Sequence, residues 1–113
     1  MSEVYKIIIL PEAQKDMRSI ALYIAREFAA PETALNLEDE FQKEINSLAE
    51  MPKRIKLVDE QPWRDAGIRK TRVKNYYIYF LVDDDKMTVK VNAVIYAGRD
   101  QTKQMSERNM GEL

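Results

Sequence analysis

A cation and an anion stand side by side at Arg99-Asp100, after the strand-like run "NAVIYA" and a glycine. Earlier, the stretch "RDAGIRKTRVKNYYIY" gathers Arg64, Arg69, Lys70, Arg72 and Lys74 ahead of Tyr76, Tyr77 and Tyr79. Cations interleaved with aromatic rings on a sheet can clamp phosphates and stack bases. The same pattern also describes a solvated face whose tyrosines pack across strands. Asp100 has two readings as well. It can partner Arg99 at a working rim, or accept backbone N–H groups and cap a short helix.

What else the chain lacks narrows the chemistry. It has no cysteine and no histidine. That removes disulfides, thiol nucleophiles, iron–sulfur clusters and Cys/His zinc sites, together with every triad built on an imidazole base. Any proton transfer falls to Asp, Glu, Lys, Tyr or water. A metal would require an all-oxygen site, and the one dense carboxylate cluster, "DDD" at 83–85, sits where a solvated hairpin turn is expected. No metal and no cofactor is expected.

The elements that must position these residues follow from periodicity. With 113 residues, 45% hydrophobic and 33% charged, the chain is expected to form one domain over 1–113 around a single core, with a frayed tail from about 109. Its unbroken apolar runs, among them Ile7 to Leu10 and Tyr76 to Val82, fall far below the ~20 residues of a membrane span, so no membrane partner is expected. The opening "MSEVYK" lacks a basic segment followed by an apolar one, and a cytoplasmic location is expected.

"VYKIIIL" (4–10) reads as a strand. Pro11 then suits a first helical position, and Ala13, Met17, Ile20, Ile24 and Phe28 recur at helical spacing on one face. Pro31 opens a second helix with Ala34, Leu37, Phe41, Ile45 and Leu48 on its apolar face, stopped by Pro52. "GIRKTRVKN", "YYIYFLV" and "MTVKVNAVIYA" predict three strands, with "DDDK" turning between the last two. Strict alternation would place Val89, Val91, Ala93 and Ile95 toward one side, with Ile78 and Phe80 toward the helices. Tyr77, Tyr79, Lys90, Asn92 and Tyr96 would then share an outer face, which Lys70 and Arg72 join or leave according to register. Residues 101–108 predict a short helix. The expected fold is α+β in the order β-α-α-β-β-β, a helical hairpin packed on one face of a mostly antiparallel four-stranded sheet, with a short C-terminal helix.

Charge is uneven along this order. Residues 11–51 carry four Lys/Arg against nine Asp/Glu, and residues 52–74 carry eight against three. An acidic helical layer and a basic sheet end suggest a charged partner at the latter.

The element order, with "AQKDMRSIALYI", "LAEMP", the strand pair "GIRK…VKNYYIYF" and the strand end "VIYAGRD", resembles the RelE/ParE family, the toxins of bacterial type II toxin–antitoxin systems. The resemblance runs from about Tyr5 to Asp100. It implies a cognate antitoxin whose flexible tail folds on the toxin, and one of two targets. In the RelE-like branch, an mRNA endoribonuclease of the ribosomal A site, Lys70 and Arg72 would supply the strand cations and Arg99 the strand-end arginine. Tyr77 stands where that branch has an arginine after a tyrosine, and no Tyr or His lies beyond Tyr96. The ParE-like branch binds and poisons DNA gyrase without nucleolytic residues; "NYYIYF" and "YAGRD" resemble it. There Arg69, Lys74, Tyr76, Tyr77, Tyr79, Tyr96 and Asp100 would serve as a target-binding surface. The plasmid-stabilisation type of toxin, acting on gyrase, is the expectation carried forward, with mRNA cleavage or an attenuated member as its alternatives.

Overall fold

The computed structural model describes residues 4–108. The expected frayed tail from about 109 lies outside the described residues. Strand β1 (Lys6–Ile9) leads into helices α1 (Pro11–Glu27) and α2 (Pro31–Ser47). A single 3-10 turn (Pro52–Arg54) and an irregular segment precede β2 (Ile68–Val73), β3 (Tyr76–Asp83) and β4 (Thr88–Tyr96), and α3 (Gln101–Glu107) follows. The order is β-α-α-β-β-β with a short terminal helix, as the sequence predicts.

Proline opens both long helices at a first-turn position, where no N–H is needed and φ is already helical. Between them Ala29 takes a left-handed backbone (φ 47°), which lets the chain reverse within a few residues. The hairpin this makes lies on one face of the sheet. Strand order is β1-β4-β3-β2, with β1 parallel to β4 and the other pairs antiparallel. Leu37, Phe41, Ile45 and Leu48 of the α2 segment pack on Ile78, Phe80, Val89, Val91 and Val94. Phe28 departs from expectation: α1 ends at Glu27, and the Phe28 ring is 65% exposed rather than in the core.

The alternation in β4 breaks. Tyr79 pairs with Ala93 and Phe80 with Val91, so Asn92 is an extra residue, a β-bulge. Val89 and Val91 face the helices before it, and Val94 faces them after it, while Ala93 and Ile95 face the other way. The single-sided set Val89, Val91, Ala93 and Ile95 is therefore divided between the two faces.

The second face is not open either. Val58 and Trp63, from the segment before β2, and Met105 of α3 bury themselves against Ile68, Tyr79, Ala93 and Ile95. Val58 N–H donates to Ile68 O (2.9 Å) and Ile68 N–H to Trp63 O (3.1 Å), which folds that segment back on the strand it precedes. The sheet thus has an apolar layer on each side. Among the described residues, no helix is long and apolar enough to cross a membrane.

Candidate functional site

The β2–β3 register, Arg72 opposite Tyr77 and Lys70 opposite Tyr79, resolves the question of which cations join which tyrosines. Lys70 and Arg72 lie on the same face as Tyr77, and both stack on its ring. Lys70 Nζ stands 4.3 Å from the centroid and the Arg72 guanidinium carbon 5.6 Å. Lys70 also pairs with Glu60 at 3.7 Å, and Arg72 Nε donates to Lys74 O at 2.7 Å. Each cation is already engaged with its own surroundings.

Tyr79 belongs to this face by alternation but not to the surface. Its ring is fully buried in the second apolar layer, and its hydroxyl donates to Gln101 Oε1 at 2.6 Å. Burial pushes its pKa far up, with the nearby Glu60 and Tyr77 adding to the shift. The expectation of an exposed Tyr79 fails because α3 and the Trp63 segment cover that face. Arg69 is turned to the opposite side, where its guanidinium donates to Ile55 O at 2.6 Å, and burial lowers its pKa.

Tyr76 and Tyr96 lie on the helix side, not the outer face where strict alternation would put Tyr96; the bulge shifts its parity. The two rings meet edge to face with centroids 5.8 Å apart, and Tyr76 meets Phe41 in the same way at 5.6 Å. They form one end of a groove of about 880 Å³, walled by the C-terminal half of α1 and bordered by the β2–β3 turn and α3. Tyr23 and Phe28 stand on its helical wall, Lys74 and Arg99 on its rim. Lys74 occupies the left-handed position of the turn (φ 51°) and makes a long, exposed pair with Glu40 (3.7 Å). Burial raises the pKa of Tyr76, with Tyr96 and Tyr23 adding to the rise and Arg99 opposing it. Gly98 leaves room for the Tyr96 ring, which folds back over it where a Cβ would collide.

Asp100 caps α3, accepting the Lys103 N–H at 3.2 Å. Of its two sequence readings, the helix cap is the one seen. The adjacent Arg99 is exposed, and its carbonyl accepts from Gln101 Nε2 at 2.7 Å.

The residues named from sequence therefore divide. Lys70, Arg72 and Tyr77 share one face, and Lys74, Tyr76, Tyr96 and Arg99 line the groove on the other. Tyr79, Arg69 and Asp100 are occupied within the fold. Sequence reasoning missed Asp16 and Arg108, which join α1 to the end of α3 at 2.9 Å, because nothing local couples positions so far apart. It also missed Tyr23. An aromatic residue off the apolar stripe of α1 was the available signal. The "DDD" run is divided as well: Asp83 accepts the Lys86 N–H, and Asp84 accepts from Tyr5 Oη (2.7 Å) and Lys53 Nζ (2.8 Å). Those two donors hold Asp84 below the usual carboxylate range.

A helical hairpin on a mixed four-stranded sheet, closed by a short C-terminal helix, is the RelE/ParE-like α+β fold. The family model described as the ParE toxin of the type II toxin–antitoxin system, parDE, matches residues 7–101. The chain belongs to that family. Among solved structures it is similar to the chromosomal ParDE toxin–antitoxin system from P. aeruginosa (TM-score 0.65, 15% identity, 84% of this chain and 98% of that one). It is also similar to a mutant of the E. coli toxin RelE in the free state (TM-score 0.62, 16% identity, 95% and 98%). The RelBE2 toxin–antitoxin complex from Mycobacterium tuberculosis is a third (TM-score 0.57, 17% identity, 82% and 98%). At such identities the likeness is one of fold. No sequence among the curated proteins matches this chain.

Proposed function

We propose that this toxin arrests growth by binding and poisoning DNA gyrase, and that a cognate antitoxin neutralises it. The observation that carries this reading is the dispersal of the cations that RNA cleavage would need together. Cleavage requires the 2′-hydroxyl deprotonated and the leaving oxygen protonated by positioned groups, each worth roughly 10²–10⁴-fold. Lys70 and Arg72 are held on Tyr77 at one face, with Glu60 against Lys70, whereas Arg99 lies on the groove across the sheet. The hydroxyl of Tyr79, on the same strand face as Tyr77, is buried and engaged, and so is not free to move a proton. A surface arranged this way suits recognition better than bond cleavage. The likeness to structures described as ParDE and RelBE2 toxin–antitoxin systems supports the antitoxin as a partner.

Two assays on the same protein test the reading. Purified protein added to gyrase and relaxed plasmid is expected to trap cleaved DNA, while primer extension after brief induction shows intact mRNA. Cuts within translated codons, with gyrase unaffected, would overturn it in favour of mRNA cleavage. Arg99→Ala is expected to reduce growth arrest at equal expression without altering the far-ultraviolet circular dichroism; full arrest by that variant would remove Arg99 from the functional surface.

A further inference from the structure

The face of the α1–α2 hairpin turned away from the sheet carries two exposed leucines, Leu22 (46%) and Leu35 (62%). They flank a shallow groove of about 300 Å³ floored by Ala21, Ala25 and Ala34, with Arg18 and Glu38 at one end. On α1, Arg18, Leu22 and Arg26 recur every four residues and so share a side of the helix. On α2, Glu32, Leu35, Glu38 and Asp39 do the same. One stripe reads cation, leucine, cation; the other reads carboxylate, leucine, carboxylate. All of these charged side chains are exposed, and none makes a hydrogen bond or ion pair among the described residues.

Only residues 28–30 join the two antiparallel helices, so residues equally far from that connection stand at one height. Arg26 is level with Glu32, Leu22 with Leu35, and Arg18 with Glu38 and Asp39. We propose that this face binds a second copy of the same chain about a two-fold axis lying along the hairpin. Such an axis lays α1 of each copy along α2 of the other without changing the height of any residue. Each arginine then meets a carboxylate of the partner, twice over, around paired Leu22–Leu35 contacts. A single helix from another protein could match one stripe; a second copy matches both in the right order, and the contact closes on itself. Helices of 17 residues are ~25 Å long, and two side by side span ~20 Å, giving about 500 Å² per copy. That is below the ~800 Å² per partner of a standard interface, so the dimer is a reversible one, with a Kd on the order of 10–100 µM.

Sedimentation velocity of the full-length protein across that concentration range tests the proposal. A monomer–dimer equilibrium is expected, weakening as salt is raised. Arg18→Glu alone, and Glu38→Arg/Asp39→Arg alone, are each expected to weaken it about tenfold or more, because like charges then face each other. Mixed in equal amounts, the two variants should recover a heterodimer, since every contact is opposite in sign again. The chain has no cysteine, so Leu22→Cys and Leu35→Cys can each be made as a single thiol. Oxidising their mixture should give mainly the Leu22-to-Leu35 cross-link rather than either self-link. These side chains are exposed, and circular dichroism should match the unaltered protein in each case. A protein monomeric throughout the range would overturn the proposal and leave the face to a different chain. A dimer indifferent to the charge variants, or variants that stay monomeric when mixed, would overturn it as well.

Discussion

Asp16 ties three elements together through one carboxylate. From α1 it accepts the Val94 N–H of β4 at 3.0 Å and the Arg108 guanidinium beyond α3 at 2.9 and 3.0 Å. Strand β1 pairs with β4 only as far as Val91, so beyond the bulge β4 has a free edge, and Asp16 satisfies one of its donors. Burial raises the pKa of Asp16, outweighing the lowering by the Val94 N–H and Arg108. The sign follows directly. The fold holds this proton more tightly than the unfolded chain, so stability falls as pH rises from near 3.8 through the raised folded value. Arg108→Gln is expected to move the Asp16 titration midpoint higher still, read from its carboxyl carbon by NMR; an unmoved midpoint would mean that the pair does not form in solution. Asp16→Ala should nevertheless destabilise the protein by roughly 3 kcal/mol, because it leaves a guanidinium and a strand N–H without their acceptor.

At the scale of the element, β4 makes the site possible through one surplus residue. Asn92 has no direct partner across the ladder, yet by standing there it sends Val94 and Tyr96 to the helix side and Ala93 and Ile95 to the other. Side chains in a strand alternate with a period of two, so removing a residue after the bulge reverses the face of all that follow. Removing the bulged residue itself restores regular pairing and reverses none. Deletion of Asn92 is therefore expected to leave a cooperatively folded protein with a straighter β4. Deletion of Val94 is expected to abolish cooperative unfolding. Urea titrations of the two variants distinguish them, and equal behaviour would show that the bulge does not set the facing.

For the whole molecule, the sheet carries an apolar layer on each side, and Tyr79 and Ile78, adjacent in β3, each belong to a different one. Damage to the smaller layer should then be felt by the whole sheet. Met105, from a helix of 7 residues, is fully buried there. Met105→Ala is expected to cost about 2–5 kcal/mol of global stability and to lower amide protection across β3 and β4 together. Loss of protection confined to α3 would show the second layer to be a separable cover. The charge asymmetry belongs to this scale too: the basic β2 region and the cationic groove mouth lie on different sides of the sheet.

Much of this was legible without coordinates. Pro11 and Pro31 mark helix starts because proline lacks only a donor that the first turn does not need. The 3.6-residue spacing of Leu37, Phe41, Ile45 and Leu48 identifies a buried helix face by itself. The strand pair around "VKNYYIYF" carries the family likeness. These are local properties, decided within a turn of helix or a few residues of strand. The tertiary structure decided what depends on residues distant in sequence. Tyr79 is buried because Trp63 and Met105, from either side of it in the chain, close over it. Tyr96 faces the groove because a bulge interrupts an otherwise regular alternation. Asp16 finds Arg108 across 92 positions. Arg99 and Lys70 look alike as cations in the sequence, and only the sheet between them separates a stacked, paired lysine from an open arginine at the mouth of a groove.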